Sequence, residues 1–377
     1  MGNDAFLQLR GLESHYGKTQ VLKDIDLTIR KGEFVALLGS SGCGKTTLLR
    51  IIAGFLSPSA GQVSVGGRDI TRHQPDKRGM ALVFQSYALW PHMTVGQNIG
   101  YGLKLRGIRR DEIARRVSDL AVMLGLTGLE GRKPANLSGG QRQRVALGRA
   151  LAIDPEILLL DEPLSNLDAR IRLSVRHELR ALQKRLGITA VHVTHDREEA
   201  MVMADRIVIL DGGRIAQQGA PEEVYNRPVS SFVAAFMGAE NLVHLNGVRD
   251  GDDFVLQPGA AGEGGRVQVA GRGLASGAVE ARFRPEAVRL TDIDRPATEP
   301  GGRFFGEVMA VSYPGGQWRH VIKVGDREIM ADAERAFTPG QPVAVFVPAA
   351  ALFLFNSPCG DPVSRTGLSP ETAKNQA

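Results

Sequence analysis

Phe34 to Arg50 reads FVALLGSSGCGKTTLLR, and the order strand, glycine loop, lysine, helix decides the fold. FVALL, Phe34 to Leu38, is short and wholly apolar, as a strand buried on both faces should be. GSSGCGKT follows at Gly39 to Thr46, and TTLLRIIAG then reads as a helix. Gly39, Gly42 and Gly44 let the backbone wrap closely, so that N–H groups around Ser40, Ser41 and Cys43 aim at phosphate oxygens. The helix N-terminus adds its partial positive charge, Lys45 adds a full one, and Thr46 and Thr47 follow at the first turn. The Thr46 hydroxyl suits a Mg²⁺ ion bridging the phosphates of a nucleotide such as ATP. Flanking strand and helix are the context that gives such a motif its meaning.

Working outward, Ala81 to Phe84 (ALVF), Ile157 to Leu160 (ILLL), Ala190 to Val193 (AVHV) and Arg206 to Leu210 (RIVIL) are further compact apolar runs. They alternate with helical segments from Phe6 to about Phe236, which predicts an α/β domain with a mainly parallel sheet over residues 1–238. Thr94 to Leu124 holds two helix-like stretches, the second rich in paired charges (RRDEIARRV), and predicts a helical insertion over about residues 88–150. After Gly238 the texture changes. Gly-rich segments at Gly259 to Gly265 and Gly271 to Gly277 separate short alternating stretches such as Glu280 to Leu290, which predicts a small all-β domain over 239–355. Residues 356–377 read as a polar, disordered tail.

The strand ILLL runs straight into Asp161 and Glu162, placing two carboxylates at the carboxyl end of a buried strand, where ligands sit in such sheets. Asp161 suits Mg²⁺, and Glu162 suits the proton of an attacking water. His195, in VTHD just after AVHV, lies at a carboxyl end as well and can reach the same phosphates as a donor. His192 lies inside its strand, where a histidine is ordinarily structural.

Leu137 to Gln141 reads LSGGQ and is followed by RQRVALGRAL. Ser138, Gly139 and Gly140, with Gln141, combine a hydroxyl and free backbone N–H groups at the start of a helix, a second phosphate site. Residues 6–236 resemble ABC-type ATPases, whose motifs occur here in the family's order. The resemblance implies that Tyr16 stacks on adenine and that Gln85 touches Mg²⁺ and the attacking water while facing membrane subunits. It likewise implies that Ser165 to Asp168 (SNLD) cross to a partner, that Glu162 is the catalytic glutamate and that His195 is the switch histidine. Hydrolysis in that family takes place between two subunits, so a second ATPase subunit is implied, a homodimer or a close heterodimer. Two membrane permease subunits and a separate solute-binding protein are implied too. FRPEAVRL, Phe283 to Leu290, and GEVMAVSYPGG further on resemble the oligomer-binding-like (TOBE) regulatory domain of importers of polyamines, ferric iron, phosphonates or sugars. The likeness leans towards the first three solutes.

The bulk properties fit that frame. A length of 377 residues suggests two domains, and 43% hydrophobic with 23% charged residues is ordinary globular composition. Apolar runs are strand-sized rather than membrane-spanning, and MGNDAFLQLR at the start lacks the pattern of a secretory signal. The expected location is the cytoplasmic face of the inner membrane. Cys43 and Cys359 make no disulfide framework. Lys and Arg exceed Asp and Glu by only 46 to 41, so no nucleic-acid partner is expected. Arg172, Arg176, Arg180 and Lys184 recur at helical spacing, opposite Ile171, Val175, Leu182 and Leu186, which predicts the solvated side of an amphipathic helix.

Overall fold

A computed structural model describes residues 5–257, 262–263, 265–268, 273–294 and 299–357. It divides into two units, the first ending at Val229 and the second beginning at Ser230. Of the tail expected over 356–377, residues 358–377 lie outside the described residues, whereas Asn356 ends a strand and pairs with Val279; residues 259–261, 264 and 271–272 of the two Gly-rich segments also lie outside them.

The first unit contains β1 (Ala5–Tyr16), β2 (Thr19–Arg30), β3 (Phe34–Gly39), α1 (Lys45–Ala53), β4 (Ala60–Val65), β5 (Arg68–Asp69), β6 (Met80–Val83), α2 (Val95–Leu105), α3 (Arg110–Met123) and α4 (Gly139–Ala152). It continues with β7 (Ile157–Asp161), α5 (Ala169–Leu186), β8 (Thr189–Val193), α6 (Arg197–Met203), β9 (Arg206–Asp211), β10 (Arg214–Gly219) and α7 (Pro221–Asn226). One sheet has the order β10-β9-β3-β8-β7-β6 and is parallel throughout except for the edge strand β10.

Strand period explains why its members read as continuous apolar runs. In β7, Ile157 and Leu159 join one core with Val35, Leu37 and helix α1, while Leu158 and Leu160 join the other with Phe34 and helices α2 to α4. Both faces are thus covered, and strand tips are the part left for chemistry.

The second sheet of this unit, β2-β1-β4-β5, is antiparallel and has no counterpart among the strand candidates found by compactness. Its strands alternate instead: in β2 Leu22, Ile25, Leu27 and Ile29 are buried while Asp26, Thr28 and Arg30 are exposed. Half-buried strands of this kind show period two rather than an apolar run.

The second unit opens with α8 (Ser231–Phe236) and continues through β11 (Asn241–Asp250), β12 (Asp253–Leu256), β13 (Gly262–Glu263), β14 (Gly265–Gln268), β15 (Gly277–Phe283) and β16 (Arg289–Asp292). It ends with β17 (Gly301–Gly315), β18 (Gln317–Val324), β19 (Arg327–Ala333), β20 (Pro342–Pro348) and β21 (Phe353–Asn356). The strands form two antiparallel sheets, β14-β12-β11-β15-β21 and β16-β20-β17-β18-β19, with β13 beside β17. Phe283 and Phe304 stack in its core at 6.4 Å with rings 5° from parallel. The boundary falls nine residues before the one expected from texture, because Ala234 of α8 and Ala239 pack on Phe353 of this unit.

Candidate active site

The cradle of residues 39–46 sits at the tip of β3 and leads into α1. Gly44 has φ 104°, and a Cβ there would fall 2.6 Å from Leu22 Cδ2. At Gly39 a Cβ would fall 2.4 Å from the Leu210 carbonyl oxygen, so neither position admits a side chain without displacing its neighbours. Lys45 is buried and turns back over the loop, donating to the carbonyls of Gly39 at 2.6 Å and Ser40 at 2.8 Å. At the far end of α1, buried Arg78 donates to the carbonyls of Ile51 and Ile52, adding to the Gly54 and Phe55 backbone N–H groups that close this helix terminus.

A cavity of about 480 Å³ opens over this loop, lined by Val21, Ser41, Gly42, Gly44, Lys45, Thr46, Thr47, Glu162 and His195. Motifs more than a hundred residues apart in sequence thereby face one space. Thr46 Oγ1 donates to Asp161 Oδ1 at 3.4 Å. Burial pushes the Asp161 carboxyl up; the Arg50 charge and the Thr46 hydrogen bond oppose that, and neighbouring Glu162 adds to it. A carboxylate short of solvation beside a hydroxyl is a fitting hard-cation site, since Mg²⁺ takes one or two carboxylates and fills its other positions with water and phosphate oxygens. Among the described residues no cluster of three His, Cys, Asp or Glu stands ready for a metal held by protein alone.

Glu162 is the hub of the opposite wall. Gln85 Nε2 lies 3.3 Å from Glu162 Oε2, and His195 Nδ1 lies 3.3 Å from the same oxygen. Gln85 also donates to Ser165 Oγ at 3.3 Å, and Asn166 Nδ2 donates to the Gln85 carbonyl at 2.9 Å. Asp168 caps α5 through Ile171 N at 3.0 Å. Glu162 itself has φ 45°, left-handed backbone that a residue with a Cβ ordinarily avoids at a cost of roughly 1–3 kcal/mol. Composition and spacing carried no sign of that strain.

Other expected residues lie elsewhere. Ser138 caps α4: its hydroxyl oxygen accepts from Gln141 N at 3.3 Å and Gln141 Oε1 accepts from Ser138 N at 2.9 Å, leaving the serine O–H free to donate. With Gly140 and Gln141 it lines a separate cavity of about 360 Å³ that shares no residue with the Lys45 cavity. Tyr16 is exposed at the β1–β2 hairpin and does not line the Lys45 cavity, whereas Val21, unremarked in the sequence, does.

In the basic stripe of α5, Lys184 is exposed as expected, but Arg176 and Arg180 are a correction. Arg176 is buried, pairing with Asp196 at 2.5 Å and with Glu198 at 3.1 Å; Arg180 pairs with Asp205. Their carboxylate partners come from α6 and the flanking loops, distant in sequence, so helical spacing alone read the stripe as solvated. His192 is likewise buried and meets Glu199 at 3.2 Å, a structural role as expected of it.

Known proteins place this arrangement. The chain is 42% identical over 353 residues to the Fe(3+) ions import ATP-binding protein FbpC 1 of Rhizobium meliloti, covering 92% of this chain and 97% of the relative. It is 46% identical over 307 residues to the sn-glycerol-3-phosphate import ATP-binding protein UgpC 1 of Rhizobium johnstonii, covering 81% and 83%. The chain belongs to the ABC transporter family. The ABC transporter profile matches residues 22–165, and a TOBE domain profile matches residues 283–355. This ABC ATPase is also similar to the ATP-binding cassette MJ0796, solved as a dimer in a post-hydrolysis state with ADP and Pi, at 31% identity and a TM-score of 0.51 over 57% of this chain and 98% of that one. Among its described residues no helix is long and apolar enough to cross a membrane.

Proposed function

We infer that the chain hydrolyses ATP to ADP and phosphate as the motor subunit of an ABC importer, seated on two permease subunits at the cytoplasmic face of the membrane. The observation that carries this is the single cavity in which Lys45, Thr46, Glu162 and His195 meet. Lys45 and the backbone N–H groups of the cradle bind the β- and γ-phosphates, and α1 aims its N-terminus at them. Asp161, Thr46 and the Gln85 amide would hold Mg²⁺, which supplies positive charge to the phosphate oxygens as negative charge develops on them.

Glu162 accepts the proton of the attacking water, Gln85 orients that water, and His195 donates to the γ-phosphate while staying close to Glu162. Ser138 and the free N–H groups at the start of α4 complete the site of a second copy, because the two cavities share no residue within one chain.

A separate binding protein and the permeases choose the solute. Ferric iron is placed first, since the ferric-iron relative matches over 92% of the chain against 81% for the sn-glycerol-3-phosphate relative. Uptake of radiolabelled ferric iron and sn-glycerol-3-phosphate by cells lacking the gene decides this. Loss of ferric uptake, restored by the parent gene but not by Glu162→Gln, is expected. Loss of sn-glycerol-3-phosphate uptake alone would reassign the solute, and unchanged uptake of both would overturn both assignments.

A further inference from the structure

Gln85 hangs from a loop whose backbone is unusual in two successive residues. Tyr87 has φ 61° and Ala88 has φ 46°, and neither is glycine. Side chains with a Cβ crowd the following carbonyl in that region, so such residues persist only where the surroundings over-determine them. Tyr87 is buried and its hydroxyl has no partner, so the ring is not held there by a hydrogen bond of its own.

The hold comes from α4. Arg149 donates from Nη2 to the Tyr87 carbonyl at 2.7 Å and from Nη1 to the Ala88 carbonyl at 2.6 Å, and its guanidinium lies 4.9 Å from the Trp90 ring centre. Burial pushes Arg149 down from its ordinary value, and its side chain is half-buried against the loop. Beyond Trp90 the loop is pinned again: fully buried Asn98 accepts from Trp90 N at 3.0 Å and donates to the carbonyl of Thr94 at 3.0 Å. A rigid planar fork spanning two adjacent carbonyls fixes their directions in a way that a lysine cannot.

We propose that Arg149 is a positioning residue for hydrolysis, clamping Tyr87 and Ala88 so that the Gln85 side chain stays beside Glu162. Because α4 begins at Ser138, the helix that offers Ser138 to a partner's nucleotide also grips the water-facing loop of its own subunit. The two ends lie about 16 Å apart along one helix. Engagement of the partner and placement of Gln85 are then linked through a single rigid body.

The proposal rests on the reading of Gln85 given above, and a double-mutant cycle separates the two. ATP turnover and nucleotide affinity are measured for Gln85→Ala, Arg149→Met, Arg149→Lys and the combination of Gln85→Ala with Arg149→Met. Arg149→Met should lower kcat about 10- to 100-fold while leaving KM within about three-fold, since a displaced group costs rate more than binding. Arg149→Lys should recover part of the loss, and the combined variant should turn over no more slowly than Gln85→Ala alone. Additive losses, or parent-like turnover of Arg149→Met beside an impaired Gln85→Ala, would overturn the clamp. Parent-like turnover of Gln85→Ala would instead remove the role of Gln85. Should Arg149→Met fail to fold, the cycle is run with Arg149→Lys, and additivity there overturns the clamp equally.

Discussion

The Lys45 end of the cavity is built from backbone, and the Glu162 end from side chains on strained or exposed loops. Gly39 and Gly44 leave no room for a Cβ, and Arg78 holds the C-terminal end of α1, so the proposed phosphate-binding surface is set once the chain folds. Gln85 and His195 are largely exposed, and Glu162 stands on left-handed backbone between them. The proposed nucleotide surface is thus preorganised by backbone, while the proposed chemistry depends on exposed side chains whose loops must be held by other residues. Variants at the two ends should fail in different ways.

The sharpest expected failure is at the cradle. Lys45→Ala removes the buried charge and should abolish detectable turnover, a fall of about a thousand-fold or more, together with weaker nucleotide binding. Phosphate release and nucleotide titration check it, and near-parent turnover would separate the cradle from the chemistry altogether.

Glu162→Gln should break only the second half of the comparison. Its side-chain shape is kept but the base is lost, so single-turnover hydrolysis should drop by about two to four orders of magnitude with Mg²⁺–ATP still bound. Persisting ATP would then hold two copies together, visible by size-exclusion chromatography with ATP and absent with ADP. Loss of nucleotide binding in that variant would move Glu162 from proton acceptor to metal holder.

A smaller effect concerns stability. Asp161 is raised in the fold, mainly by burial, so the native state favours its protonated form more than the unfolded chain does. Stability from this group is therefore fully present below the unfolded carboxylate pKa and is lost as pH rises through the raised folded value. At pH 7 the nucleotide-free Asp161→Asn variant should melt a few degrees above the parent, with the gap closing on acidification, while its Mg²⁺-dependent turnover is lost. An unchanged or lowered melting point at pH 7 would show that the Thr46 and Arg50 contacts outweigh burial.

Least affected should be Tyr16→Ala. Tyr16 lies outside the lining of the Lys45 cavity, and stacking on a base, worth about 1–3 kcal/mol or roughly 5- to 160-fold where it occurs, is not set up there, so ATP affinity should fall less than about 5-fold with kcat unchanged. A larger loss would mean that the hairpin closes over the base.

Legibility in the sequence followed the same division. Cradle, acidic pair and the parallel strands announce themselves because each is contiguous: a motif at fixed spacing, or four to five apolar residues in a row. The antiparallel sheet β2-β1-β4-β5 escaped because its strands bury one face and alternate, leaving no run to notice. Arg176 and Arg180 escaped because their carboxylate partners, Asp196, Glu198 and Asp205, are 20 to 25 residues away along the chain. No residue type forecasts the backbone of Tyr87, Ala88 or Glu162, since all three ordinarily avoid φ above zero. Function thus concentrated its least readable features where side chains, rather than backbone, do the positioning.

The left-handed Glu162 has a further bearing on how this protein would respond to selection in the laboratory. Glycine at that position would relax the backbone and should raise the melting temperature while removing the proposed proton acceptor. A library screened for heat resistance alone would therefore enrich Glu162→Gly and accumulate robust, silent motors, unless each round also demanded transport.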